Sequence, residues 1–290
     1  MSNTKKIALI LSLFIIIFFI VGFFLGENSI GSGGYNGDLS WMWNNFEIFK
    51  NNTLFESITH KDFFGNRTPL IYLINFLFNP FINDIYLYRL SIFIFSLFGP
   101  IIFYHCLILR FKNTQKEILM LISSIILLSP FYRTTAYWGM EINYAIISML
   151  LAYYFYLKID FEGSKIKYNH LFAIIFFSSL VIYFDQKFIF IPLVIFFKVL
   201  TCKINLEQKL FMLVSYAILS LPYLFLIYTW EGIVPSSTQN VNQLTITKIN
   251  RLNLFHLEHL GYASTIIAFY ILPLLIFFKK NISFYIKNFF

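Results

Sequence analysis

Charge is what this sequence has least of. Only 12% of its 290 residues are Asp, Glu, Lys or Arg, about half of the ~25% with which a soluble domain solvates its surface. The shortage excludes an ordinary soluble fold and leaves lipid as the solvent. Cysteine is scarce too. Cys106 and Cys202 are the two in the chain, neither has a metal-type partner spacing, and both read as inert core residues. No internal repeat, heptad, Gly-rich phosphate loop or long soluble domain is visible. The GSGG stretch at 31–34 is too short and too far from any strand for a nucleotide fingerprint, and reads as a flexible linker.

What the chain has in excess is hydrocarbon: 58% of it is hydrophobic and 21% aromatic. Residues 7–25 carry no charge, and a bilayer core about 30 Å thick takes roughly 20 apolar residues to cross. Further runs at 88–109, 117–132, 138–157, 170–184, 187–202, 210–229 and 260–278 predict an all-α integral membrane protein of about eight transmembrane helices. Residues 1–290 then form a single multi-pass domain. A large outer loop at 26–87 follows the first helix, and the last outer loop spans 230–259. The runs ending at Tyr132 and Phe184 are short, and 69–83, broken by Pro80, reads as interfacial or as a lead into the second span. Lys5 and Lys6 precede a first run too long for a signal peptide, which reads as an uncleaved anchor.

The formal net charge of +8 does not indicate nucleic acid, because the Lys and Arg residues cluster in short loops between apolar runs. With the N-terminus in the cytoplasm, 14 of the 22 Lys and Arg residues fall inside, as the positive-inside rule expects. Ten of the 14 Asp and Glu residues then fall at or beyond the outer interface. The unusual chemistry belongs to that face. Lys outnumbers Arg 17 to 5 in an Ile-, Phe- and Asn-rich composition, which points to an AT-rich genome and a bacterial inner membrane.

Five groups on that face have both a functional and a bland reading. Asp38, in YNGDLSWMW, is placed to meet a polar group carried on a lipid, or is a loop carboxylate beside an aromatic belt. In THKDFFGNRTP, Arg67 can grip a phosphate and His60 or Asp62 can pair with a second acidic group, or all three are solvated charges. Arg133, Tyr137 and Glu141 are spaced to share one helix face, as a headgroup contact or as an interfacial anchor. Asp185, Gln186 and Lys187 interrupt an otherwise continuous apolar stretch and form either a tight turn or a site. His256 and His259 flank Glu258 without a third ligand at a defined spacing; they read as interfacial residues leading into a span rather than as a metal site.

Taken in order along residues 7–278, these segments resemble the GT-C glycosyltransferases, multi-pass enzymes that use polyprenyl-phosphate sugars as donors. GDLSWMWNNF followed by NRTPLIYLINFLF resembles the family's first outer loop with its catalytic acidic residue. YLYRLSIFIFSLFGPIIFYHCL resembles the second span with its leading Arg, LSPFYRTTAYWGMEINYAIISMLLAYYFYLK the third and fourth spans, and IYFDQKFIFIPLV the turn between the fifth and sixth. TWEGIVP and HLEHLGY are similar to stretches of the dolichol-pathway glucosyltransferases. The chain departs from the family in presenting Asp38 without an adjacent acidic partner, and in ending after eight predicted spans.

The resemblance implies transfer of a sugar from a polyprenyl-phosphate-linked donor to a glycan, lipid or protein acceptor on the outer face. Asp38 would be the general base, and Arg67, Arg133 and Lys187 would neutralise the leaving phosphate. Asp62, Glu141, Asp185, Gln186, His256 and His259 would contact substrate. No cofactor is implied, and the need for a divalent cation is left open. Two other classes stay open beside this one: a polysaccharide polymerase or ligase, and a transporter or flippase-like protein.

Overall fold

The computed structural model describes residues 3–28, 34–65, 68–159, 166–239 and Ser264. Residues 1–240 and 241–290 form separate compact units, and the helices between Asn3 and Trp230 belong to the first. Arg67, His256 and His259, residues 31–33 of the GSGG stretch and, apart from Ser264, the span expected at 260–278 lie outside the described residues.

Every element among the described residues is helical. Helix α1 (Asn3–Phe24), the α5–α6 stretch (Ile85–Ser96 and Phe98–Arg110, joined through Leu97) and α12 (Leu206–Trp230) are long and apolar enough to cross a membrane. Against the eight spans expected, the described residues hold three such helices in an all-helical chain suited to a membrane. Helix α7 (Lys116–Ser124) with its 3-10 extension to Leu128, and α8 (Pro130–Tyr137), qualify only as a pair bent by 66°. The bend has a local cause: Pro130 opens α8, Ser129 caps it by accepting the Tyr132 N–H, and the proline supplies no donor to continue the preceding helix. Helices α9 (Ile142–Leu157), α10 (Tyr168–Phe184) and α11 (Phe190–Thr201) are shorter.

The segment between the first two spans is folded. Thr53 and Glu56 form a reciprocal capping box at the start of α3 (Leu54–Ile58), and α4 (Leu70–Phe78) ends just before Pro80. Helix α2 (Gly34–Asn51) is amphipathic and exposes Asn36, Asp38, Ser40 and Asn44. Its opposite face, with Leu39, Met42, Phe46 and Phe49 at helical spacing, is buried against Ile58, Phe63, Tyr72, Tyr88 and Trp230. Edge-on aromatic contacts fill this core, among them Phe46–Tyr72 and Phe46–Tyr88 at 5.0 and 5.2 Å between ring centroids. A second core joins α1, α8 and α9 through Phe19, Phe23, Tyr132, Tyr137 and Ile146. A third packs α10 against α11 and α12 through Leu171, Ile175, Val199 and Met212.

Candidate functional site

The folded segment after α1 closes over the start of α9 to make a polar cleft of about 230 Å³. Asp38, Trp41, Met42 and Asn45 of α2 line one side. Phe64, Gly65 and Thr68 come from the loop before α4, Ile71 and Tyr72 from α4, and Met140 and Glu141 from the segment that enters α9. Asp38, Trp41 and Asn45 are one or two helical turns apart, so one stripe of α2 faces the cleft while the adjacent apolar stripe holds the helix down.

Asn45 organises the walls. Buried and fully used, it donates to the Phe64 carbonyl at 2.6 Å and to the Tyr72 hydroxyl at 2.8 Å, and accepts the Phe64 N–H at 3.2 Å. The same loop and the end of α3 are held from behind by the last residue of α12 and the residues that follow it. Ser237 donates to the Phe63 carbonyl at 2.5 Å, Thr238 accepts the Gly65 N–H at 3.0 Å, and the Trp230 indole donates to the Ile58 carbonyl at 2.8 Å. Thr68 donates to the Tyr183 carbonyl at 2.5 Å and ties the loop to the end of α10.

Glu141 reaches the cleft because the chain breaks between α8 and α9. Gly139 has φ +71°, and a Cβ there would sit 2.6 Å from the Tyr88 ring, so both backbone angle and space demand glycine. The Tyr88 hydroxyl donates to the Gly139 carbonyl at 2.7 Å and fixes the break from α5. This corrects the expectation that Arg133, Tyr137 and Glu141 share one helix face. After Tyr137 the helix stops, Arg133 is carried toward α1, and Glu141 turns into the cleft. Glu141 is buried, at the amino end of α9, where the helix dipole favours a carboxylate. Asp38 is exposed and makes no hydrogen bond or ion pair among the described residues.

Asp62 lines a second cleft of about 230 Å³, which shares Trp41, Asn45 and Phe64 with the first. Trp41 meets Phe64 edge-on at 5.4 Å. Asp38 and Asp62 therefore border neighbouring clefts with a common wall. Asp62 also approaches His60, its carboxylate 3.8 Å from Nδ1.

The other expected site residues are placed elsewhere. Arg133 is 6% exposed and pairs with Glu27, and its guanidinium stacks over Phe18 at 4.3 Å. Gly22 makes room for this knot: a Cβ at that position would approach the Tyr137 hydroxyl, Arg133 and Glu27 within 2.6, 2.8 and 2.9 Å. Asp185 is buried and caps a 3-10 turn at Gln186–Ile189 by accepting the Lys187 N–H at 3.0 Å. Gln186 donates to the Ile233 carbonyl at 3.1 Å. Of the two readings of that triplet, the turn accounts for these contacts, and none of the three lines the Asp38 cleft.

Sequence reasoning missed Asn45, Thr68, Tyr72 and Met140 as cleft residues, and Glu27 as the partner of Arg133. Asn45 alone has a usable signal, two helical turns beyond Asp38. Among the described residues no group of three or more His, Cys, Asp or Glu side chains is arranged to hold a metal ion. No protein-family model, curated protein or solved structure matches this chain.

Proposed function

We propose that this is a membrane glycosyltransferase that moves a sugar from a polyprenyl-phosphate carrier to a hydroxyl acceptor at the outer face of a bacterial inner membrane, with its N-terminus in the cytoplasm. One observation supports the reading above the others. Asp38 and Glu141, far apart in the chain, line one cleft with Trp41 and Tyr72, and carboxylates beside aromatic faces suit a sugar ring with its hydroxyl groups.

In this reading Asp38, exposed and without a partner among the described residues, accepts the proton of the acceptor hydroxyl as that oxygen attacks the anomeric carbon. The new C–O bond forms as the bond from the anomeric carbon to the carrier phosphate breaks, and the lipid phosphate leaves with the electron pair. Glu141 orients the sugar from the opposite wall. Arg133, already neutralised by Glu27, is a poor counter-ion for the departing phosphate. Arg67 falls in sequence between Gly65 and Thr68, which both line the cleft, and is the first cation to test in that role.

The test is transfer from a panel of polyprenyl-phosphate sugars by the protein reconstituted in liposomes, with Asp38→Asn beside the wild type and folding checked for both. Transfer by the wild type that collapses in a folded Asp38→Asn supports the assignment. Full activity in Asp38→Asn would move the base to Asp62 or Glu141. A wild type that turns over no donor would sink the enzyme reading and favour transport, the class to which the bent α7–α8 pair also lends itself.

A further inference from the structure

Two arginines are fixed close to Tyr137 and Trp138, and they differ in what neutralises them. Arg133 has Glu27. Arg89, half-buried near the start of α5, donates from Nε to the Tyr137 carbonyl at 2.9 Å. Its guanidinium lies over the Trp138 ring at 3.9 Å and 5.7 Å from the Phe23 ring. Carbonyl and rings hold the plane of the group without cancelling its charge. Among the described residues no carboxylate pairs with Arg89, and its terminal nitrogens donate to nothing. The edge that remains is the fork that binds a planar or tetrahedral oxyanion through two parallel N–H bonds.

The surroundings narrow the anion. Ile85 and Tyr86 lie one helical turn before Arg89 on α5, Phe24 adjoins the Phe23 ring on α1, and all three expose large apolar surfaces. Both helices are candidate membrane spans, and exposed apolar side chains on such helices suit the chain of a lipid. Trp138 and Tyr86 stand at helix ends, the level at which amphipathic rings meet lipid headgroups. An oriented, uncompensated guanidinium at that level, with apolar surface next to it, matches an acyl or isoprenyl chain ending in a phosphate.

We infer that Arg89 is a binding site for a lipid-borne phosphate, held at the junction of α1, α5 and α8. The inference rests on the membrane placement of these helices and stands apart from sugar transfer. A soluble phosphate shares the headgroup chemistry and lacks the apolar chain, which makes the two sources separable.

The experiment is thermal unfolding of the purified full-length chain in an uncharged, phosphate-free detergent. The added probes are phosphatidylglycerol, diacylglycerol with the same acyl chains, and inorganic phosphate. Phosphatidylglycerol is expected to raise Tm by about 3 °C and diacylglycerol to leave it unchanged. Arg89→Gln removes the rise, and Arg89→Lys, which keeps the charge and loses the fork, weakens lipid binding by roughly tenfold. A rise with inorganic phosphate as large as that with the phospholipid supports the anion site and assigns it to a soluble ligand. An equal rise with phosphatidylglycerol in wild type and Arg89→Gln overturns the proposal. Should Arg89→Gln fail to fold, native mass spectrometry of Arg89→Lys decides: phosphatidylglycerol retained at wild-type level overturns it, and depletion supports it.

Discussion

The Glu27–Arg133 knot and the Asp38–Glu141 cleft both place charge close to apolar helices, and they treat it oppositely. In the knot, an acid just past α1 and a base on α8 neutralise each other, the Tyr137 hydroxyl donates to the Phe19 carbonyl at 2.5 Å, and Gly22 yields the space. In the cleft, the described lining holds two carboxylates and no cation, and Asp38 is exposed and has no partner among the described residues. Charge matched by a neighbouring helix holds the helices together. A carboxylate placed as Asp38 is, at a cavity wall and unbonded, is available to a ligand, and the contrast indicates where substitutions should affect chemistry and where they should affect stability.

The largest effect is expected in the cleft. Asp38→Asn should lower transfer by ~10²–10⁴-fold, the range of a positioned general base, with Tm unchanged because the side chain is exposed and unbonded. An equal loss of Tm and activity would make Asp38 a structural residue and erase the contrast. Glu27→Gln should do the reverse, leaving Arg133 buried without its counter-ion. Breaking a buried pair costs ~3–5 kcal/mol, and because the Glu27 side chain is 34% exposed we expect about 2 kcal/mol by thermal unfolding in detergent. Adding Arg133→Gln should recover part of that loss.

Gly139→Ala links the two regions, since it strains a left-handed residue and drives a methyl group into Tyr88. We expect a loss of about 2 kcal/mol together with reduced transfer, because Glu141 is aimed by the same break. Unchanged transfer in a destabilised variant would remove Glu141 from substrate contact. A smaller change of opposite sign is expected near the start of α9, where Asn143 is fully buried and neither side-chain atom has a partner among the described residues. Asn143→Leu should stabilise by about 1 kcal/mol, seen as a higher Tm, and a fall would reveal a hydrogen-bonding partner there.

The smallest effect belongs to Glu56, fully exposed in the α3 capping box. Bonds from the Thr53 backbone N–H and then the Thr53 hydroxyl favour its ionised form and lower its pKa. A folded-state pKa below the unfolded one gives stability that is present above the unfolded value and lost as pH falls through the folded value. Glu56→Gln should therefore flatten the acid-side decline of Tm slightly and leave the neutral-pH value nearly unchanged.

Much of this architecture is legible in the residues alone, because helix period, apolar run length and capping are local properties. The run at 7–25, the polar segment bearing Asp38 and the Asp185 turn can all be found by reading along the chain, whereas the break at Pro130 falls inside the run 117–132 that reads as one span. The cleft is half legible. Asp38 and Glu141 stand out as acids near apolar runs, yet nothing near either residue says that they meet. Arg133 and Glu141 look like partners on one helix because their spacing suits one. The left-handed Gly139 separates them, and glycine in a sequence does not announce which backbone angle it will take.

An apolar, helical chain suited to a membrane, with most of its acidic residues in a few segments between apolar runs, follows from the order of the residues without any knowledge of their packing. Which charges pair does not. Arg133 meets Glu27 because Gly22 lets α1 and α8 approach, and Glu141 joins Asp38 because Tyr88 and Asn45 fix the break and the loop on either side of the cleft. Those meetings depend on side chains distant in sequence arriving within a few ångströms of one another, and no local pattern encodes that arrival.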